Sequence, residues 1–143
     1  MTWQAWDGDA PDYNITLADA QPTYRALLDA RVRMLIYSGL SDTAVPDVGA
    51  AEWLPRVAGT RVRAARRKWG TPPDGGFAGH VTEYESGVSF VTVAGAGHLV
   101  PADRPAAALA MISAWARGEP MPAYKGKACK RLWLGRGYGD FCT

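Results

Sequence analysis

Twice in this chain an apolar run of strand length breaks into a glycine-bearing turn and then into a helix start. The first run is Val32-Arg33-Met34-Leu35-Ile36-Tyr37, followed by Ser38-Gly39-Leu40-Ser41-Asp42 and a helix opened by Pro46. The second is Val88 to Val93, followed by Gly95-Ala96-Gly97-His98-Leu99-Val100-Pro101 and a helix start at Asp103. The first run does not alternate strictly, as expected for a strand covered on both faces in a parallel sheet. Small residues let the backbone turn tightly where each run ends. In an open α/β sheet, sites lie outside the carboxyl ends of the strands. Two neighbouring parallel strands would therefore bring Asp42 and His98 to one edge of one sheet.

The 143 residues are one domain's worth, long enough to bury a core. A hydrophobic share of 48% with 21% charged residues excludes disorder and collagen-like repeats. The net charge of +2 is too small to imply nucleic acid or a membrane surface as partner. No zinc-finger, helix-turn-helix or RNA-binding spacing is present. The most apolar stretch, Pro105 to Ala116, falls short of the roughly 20 residues a spanning helix needs. The opening Met1-Thr2-Trp3-Gln4-Ala5-Trp6-Asp7 is aromatic and acidic, with no secretory leader pattern. The expectation is a cytosolic chain as written, or one whose true N-terminus lies upstream. Cys129 and Cys142 could close a small disulfide loop or be two free thiols. Asn14-Ile15-Thr16 is a glycosylation acceptor only if the protein is secreted.

The other elements follow from local signals. Residues 1–19 read as irregular. Pro22 in a first turn and Tyr24, Leu27 and Leu28 on one face predict a helix to about Ala30. After Pro46, Ala50, Trp53, Leu54 and Val57 share a helix face, with Pro55 interrupting the pattern. The basic stretch Arg61 to Trp69 reads as an exposed strand or a solvated face. Ser86-Gly87 predicts a two-residue hairpin connection between Val81–Glu85 and Val88–Val93. Asp103 is the expected N-cap of a helix with Leu109, Ile112 and Ala116 as its buried stripe, stopped by Gly118 and Pro120. Residues 119–143 lose periodicity and read as a basic, Gly-rich surface tail.

An Asp and a His on one rim, in that chain order, are the last two members of a Ser, Asp, His hydrolase triad. The carboxylate would hold the imidazole Nδ1–H, fix its tautomer, and stabilise the imidazolium formed when Nε2 takes the nucleophile's proton. The nucleophile itself is not found. Ser41 and Ser89 each have a glycine two residues before them, but neither has one two residues after, as a nucleophile elbow requires. Cys129 and Cys142 lie past the last core helix and are poor candidates.

Ile36-Tyr37-Ser38-Gly39-Leu40-Ser41-Asp42-Thr43-Ala44-Val45-Pro46 and Val93-Ala94-Gly95-Ala96-Gly97-His98-Leu99-Val100-Pro101 resemble the two C-terminal signatures of the serine carboxypeptidases. Leu17 to Leu28, Gly79 to Tyr84 and Phe90 to Val93 resemble the segments around them, and the likeness runs from about Trp3 to Gly118. The resemblance implies the C-terminal part of an α/β-hydrolase fold, with a mixed, mostly parallel sheet and flanking helices over residues 1–118. It also implies release of C-terminal residues from peptides, at acidic pH, in a secreted, vacuolar or lysosomal setting. By the same likeness Asp42 is the triad aspartate and His98 the triad histidine. No cofactor or metal is implied. The expected partners are a peptide substrate and the N-terminal half of the hydrolase. That half would carry the Gly-Glu-Ser-Tyr-Ala-Gly nucleophile segment, upstream of residue 1. Leu40 stands where many members have a further Asp, and Trp6 where many have a cysteine. Without a nucleophile the chain alone is expected to be inactive. The alternatives are an acyltransferase or lyase on the same scaffold, or a non-catalytic interaction remnant.

Overall fold

Residues 19–126, 129–133 and 138–142 are described by the computed structural model, with side chains described up to residue 126. The glycosylation acceptor at Asn14 and the side chains of Cys129 and Cys142 lie outside the described residues. Helix α1 spans Gln21–Asp29 and strand β1 Met34–Gly39, followed by helix α2 over Asp47–Ala58. Strands β2, β3 and β4 then run over Val62–Thr71, Gly76–Tyr84 and Val88–Val93. A one-turn helix α3, Val100–Asp103, leads into α4, Pro105–Arg117. Strands β5 (Cys129–Trp133) and β6 (Tyr138–Cys142) close the chain.

The first four strands form one mixed sheet in the order β1-β4-β3-β2. β1 and β4 are parallel, from Met34 opposite Val88 to Gly39 opposite Val93. The β3–β4 and β2–β3 pairs are antiparallel. A parallel pair needs a crossover on a sheet face, and the chain between β1 and β4 supplies α2 together with the β2–β3 excursion. With helices on its faces, this mixed sheet fits the partial α/β-hydrolase fold that the resemblance implies. Among the described strands it is not mostly parallel, because the β2–β3 excursion returns through hairpins and leaves β1–β4 as its one parallel pair.

The core has two leaves, one on each face. On one, α4 lays Ala107, Ala108, Met111 and Ala114 against Val81, Val91, Val93 and Trp69. On the other, Leu54 and Ala58 of α2 meet Met34, Tyr84, Val88 and Phe90, with Tyr24 of α1 stacked on Trp53 at a centroid distance of 5.2 Å. β4 thus gives Val88 and Phe90 to one leaf and Val91 and Val93 to the other, which is why its sequence is mostly apolar without strict alternation.

Several local expectations are corrected. The β3–β4 connection is Glu85-Ser86-Gly87, three residues rather than two, closed by Gly87 N–H to the Tyr84 carbonyl. Pro55 sits inside α2 without ending it. The buried stripe of α4 is not Leu109, Ile112 and Ala116: Leu109 is 69% exposed and Ile112 44%. The helix is apolar almost all round, so periodicity permits several faces, and the sheet takes the alanine-rich one, which lets the backbones approach closely. Nor does Asp103 cap this helix; Arg104 occupies the N-cap position, and no side chain bonds there. Past Gly118 the chain stays on the body for a few residues. Met121 is buried, Pro122 accepts from the Gly70 N–H, and Ala123 bridges to Trp69. The β5–β6 ladder sets residue 129 opposite residue 142.

Candidate active site

The rim where β1 and β4 end is held by backbone fit. A Cβ at Gly39 would lie 2.2 Å from the Gly97 carbonyl oxygen and 2.3 Å from that of Ala96, so only glycine admits this approach. The Leu40 N–H donates to the Val93 carbonyl at 2.9 Å, and the Ser41 N–H to the Ala96 carbonyl at 2.9 Å. The loop after β1 is thereby sewn to the loop after β4. A second glycine supports the same level of the sheet: Gly79, at φ +148, faces Val93 and leaves room for the Trp69 indole to donate to the Thr92 carbonyl at 3.0 Å.

Asp42 follows Ser41 and folds its side chain onto its own loop, a habit of Asp in turns. Oδ1 accepts the Ala44 N–H at 2.8 Å and the Val45 N–H at 3.0 Å. Oδ2 accepts from His98 Nδ1 at 2.9 Å. Because an ionised carboxylate can only accept, Nδ1 carries a proton, and in the neutral ring it is Nε2 that holds the free lone pair. The carboxylate is 6% exposed, covered by the few groups that bond it, while the imidazole side chain is 62% exposed. Donation from the Val45 N–H, then from His98, holds the Asp42 carboxyl below the usual aspartate range, against the opposing effect of desolvation.

The two residues read from the sequence as site candidates are therefore in hydrogen-bonding contact at one sheet edge. Chemically the pair can act as an oriented base: the imidazole is open to solvent, with a fixed anion behind it to stabilise the ring once it takes a proton. Among the described residues, no group of three or more His, Cys, Asp or Glu gathers in a way that could hold a metal ion. Sequence reasoning missed Gly39 as the contact that lets the loops meet. Its signal was its place at the end of the first apolar run. It also misassigned Asp103, whose Oδ2 accepts the Gly97 N–H at 2.7 Å rather than capping α4.

His80, in β3, accepts from Arg66 through Nδ1 at 3.1 Å. Burial, followed by the Arg66 and Lys68 charges, pushes its pKa below the ordinary histidine value. It borders a cavity of about 210 Å³ between α2 and the sheet, together with Asp47, Thr82 and Phe90.

Comparison with known proteins places this pair in a family setting. The family model described as serine carboxypeptidase matches residues 2–118. Serine carboxypeptidase-like 33 of Arabidopsis thaliana is 38% identical over 111 residues, 78% of this chain and 23% of that protein. The P-(S)-hydroxymandelonitrile lyase of Sorghum bicolor is 37% identical over 106 residues, 73% of this chain and 20% of the relative. Serine carboxypeptidase 1 of Hordeum vulgare is 35% identical over 98 residues, 68% of this chain and 19% of the relative. The chain thus spans about a fifth of the length of these curated relatives.

Proposed function

The chain belongs to the serine carboxypeptidase family, and from that membership we propose that it supplies the aspartate and histidine of a Ser-His-Asp triad that releases C-terminal residues from peptides. The observation that carries this reading is the 2.9 Å contact from His98 Nδ1 to Asp42 Oδ2, with the ring otherwise open to solvent. In this reading the nucleophilic serine comes from the N-terminal portion of the hydrolase, which pairs along the free edge of β1. His98 Nε2 takes the serine proton as the oxygen attacks the scissile carbonyl. It returns that proton to the departing amino-acid nitrogen, leaving an acyl-serine. Water then repeats the cycle, with His98 again the base and Asp42 ionised throughout.

The test is reconstitution of the 143-residue chain with an N-terminal portion bearing a Gly-x-Ser-x-Gly segment. Release of C-terminal residues from blocked dipeptides should depend on both pieces. His98→Ala should lower it by roughly four to six orders of magnitude. Undiminished release by His98→Ala would remove His98 from the mechanism. The chain alone should stay unlabelled by a serine-directed phosphonate probe, and labelling would overturn the assignment of the nucleophile to another piece.

The likeness to the Sorghum bicolor lyase favours one second reading, since fold does not fix reaction. There His98 would take the hydroxyl proton of a cyanohydrin, and cyanide would leave as the carbonyl forms. Cyanide release from an aromatic cyanohydrin, without dipeptide hydrolysis, would select it. The relatives' family supports a secreted or vacuolar setting for the complete protein. Among the described residues no helix is long and apolar enough to cross a membrane.

A further inference from the structure

The peptide group joining Ala96 to Gly97 lies one residue before His98, and both of its polar atoms are bonded, one to each flanking segment. Its carbonyl oxygen accepts the Ser41 N–H at 2.9 Å. Its N–H donates to Asp103 Oδ2 at 2.7 Å. A peptide unit is planar and rigid, so fixing its two ends fixes the direction in which the chain enters Gly97, the residue before His98. Ser41 in turn adjoins Asp42. One rigid plane therefore lies between the backbone of the aspartate loop and the carboxylate of Asp103. His98 follows one residue beyond it, after Gly97.

The chain path makes this bond possible. Val100–Asp103 is one helical turn, with the Ala102 and Asp103 N–H groups both donating to the Leu99 carbonyl. That turn carries Asp103 back over the loop it has just left. The bond closes residues 97–103 into a ring with His98 inside it. Gly97 suits the arrangement, because a Cβ there would lie 3.3 Å from the same Oδ2. A bond from a neutral N–H to an ionised carboxylate is shorter and stronger than a neutral one, and it polarises the peptide so that Ala96 accepts more strongly from Ser41.

We propose that Asp103 is a positioning residue for the Asp42–His98 pair, acting through the Ala96–Gly97 peptide to hold His98 in register with the aspartate loop. The proposal rests on the reading of that pair as the working base. It assigns Asp103 no contact with substrate and no proton transfer.

The experiment compares the 143-residue chain with Asp103→Ala, Asp103→Ser and Asp103→Asn. Amide hydrogen exchange is followed by mass spectrometry over residues 38–45, 94–99 and 100–104. The low-field proton NMR signal of His98 Nδ1–H is followed in parallel. Alanine removes the acceptor, serine is too short to reach the Gly97 N–H, and asparagine keeps a carbonyl oxygen in place. Loss of the acceptor should speed exchange at Ser41 and Gly97 by tenfold or more. It should also weaken or shift the Nδ1–H signal upfield, and asparagine should restore both. Should the alanine chain fail to fold, the serine and asparagine chains carry the same comparison. Faster exchange confined to residues 100–104, with the Ser41 amide and the Nδ1–H signal unmoved, would reduce Asp103 to support of its own turn and overturn the proposal. A wild-type Nδ1–H signal indifferent to Asp42→Asn would instead sink the reading of the pair, while Ser41 exchange would still report on Asp103.

Discussion

Gly39 works by having no side chain. An alanine there would place its Cβ well inside the Ala96 and Gly97 carbonyls, which belong to backbone and cannot swing aside. Gly39→Ala should therefore push the two loops apart and destabilise the chain by about 1–3 kcal/mol, the usual range for forced overpacking. Urea denaturation would read this, and an unchanged midpoint would mean that the loops part freely. Two titratable groups set separate pH windows. The Asp42 carboxyl is depressed in the fold, so its contribution to stability is present above its unfolded value near ~3.9 and is lost as pH falls through the lower folded value. His80 is depressed as well, so the stability that its neutral ring contributes is present above ~6.5 and is lost as pH falls from there through the folded value. Urea midpoints between pH 3 and 8 should decline in both windows. Asp42→Asn should flatten only the acid one and His80→Gln only the near-neutral one.

At the scale of elements, Trp69 ties β2 to the rest of the sheet. It is fully buried, and its indole N–H satisfies the Thr92 carbonyl across β3, which is possible only because Gly79 lies between them. Trp69→Phe keeps most of the apolar surface but leaves that carbonyl short of a partner, at a cost of about 1–3 kcal/mol. A thermal midpoint within error of wild type would show that water replaces the indole. The helices also show where pattern reading runs out. In α2 the apolar face is narrow, and Ala50, Trp53 and Leu54 pack as the spacing predicts, while Ala58 rather than Val57 completes the buried face. In α4 the sequence Pro105 to Ala116 is apolar on several faces, so periodicity could not select between Leu109 and Ala108. Asp103 illustrates the same limit: a residue with every local sign of an N-cap was taken by a longer-range acceptor role at Gly97.

For the whole molecule, β1 matters most among the described strands, because it is the edge strand of the parallel pair and is bonded there to β4 alone. Tyr37, Leu40, Val45, Val48 and Leu99 are exposed on or near the β1–β4 rim, and Leu109 and Ile112 are exposed on α4. A parallel strand is normally buried on both faces and paired on both edges, and an open edge invites pairing with another chain. The isolated chain should self-associate, and the serine-bearing portion proposed above should suppress that association. Light scattering after size-exclusion chromatography would decide, since a monodisperse monomer that melts cooperatively would contradict it.

The sequence alone determined most of the element order up to Gly118, the turn chemistry of the two loops, and the placing of an aspartate and a histidine just past strand ends. Those are local properties, written in apolar runs, glycines and prolines within a few residues of each other. Only the tertiary structure decided that Gly39 seats against Ala96 and Gly97, that Asp103 turns back to the peptide before His98, and which face of α4 meets the sheet. Each of these depends on where residues distant in the chain, or a turn that doubles back, come to rest. A carboxylate or an alanine face has no preference among partners until packing brings one within reach.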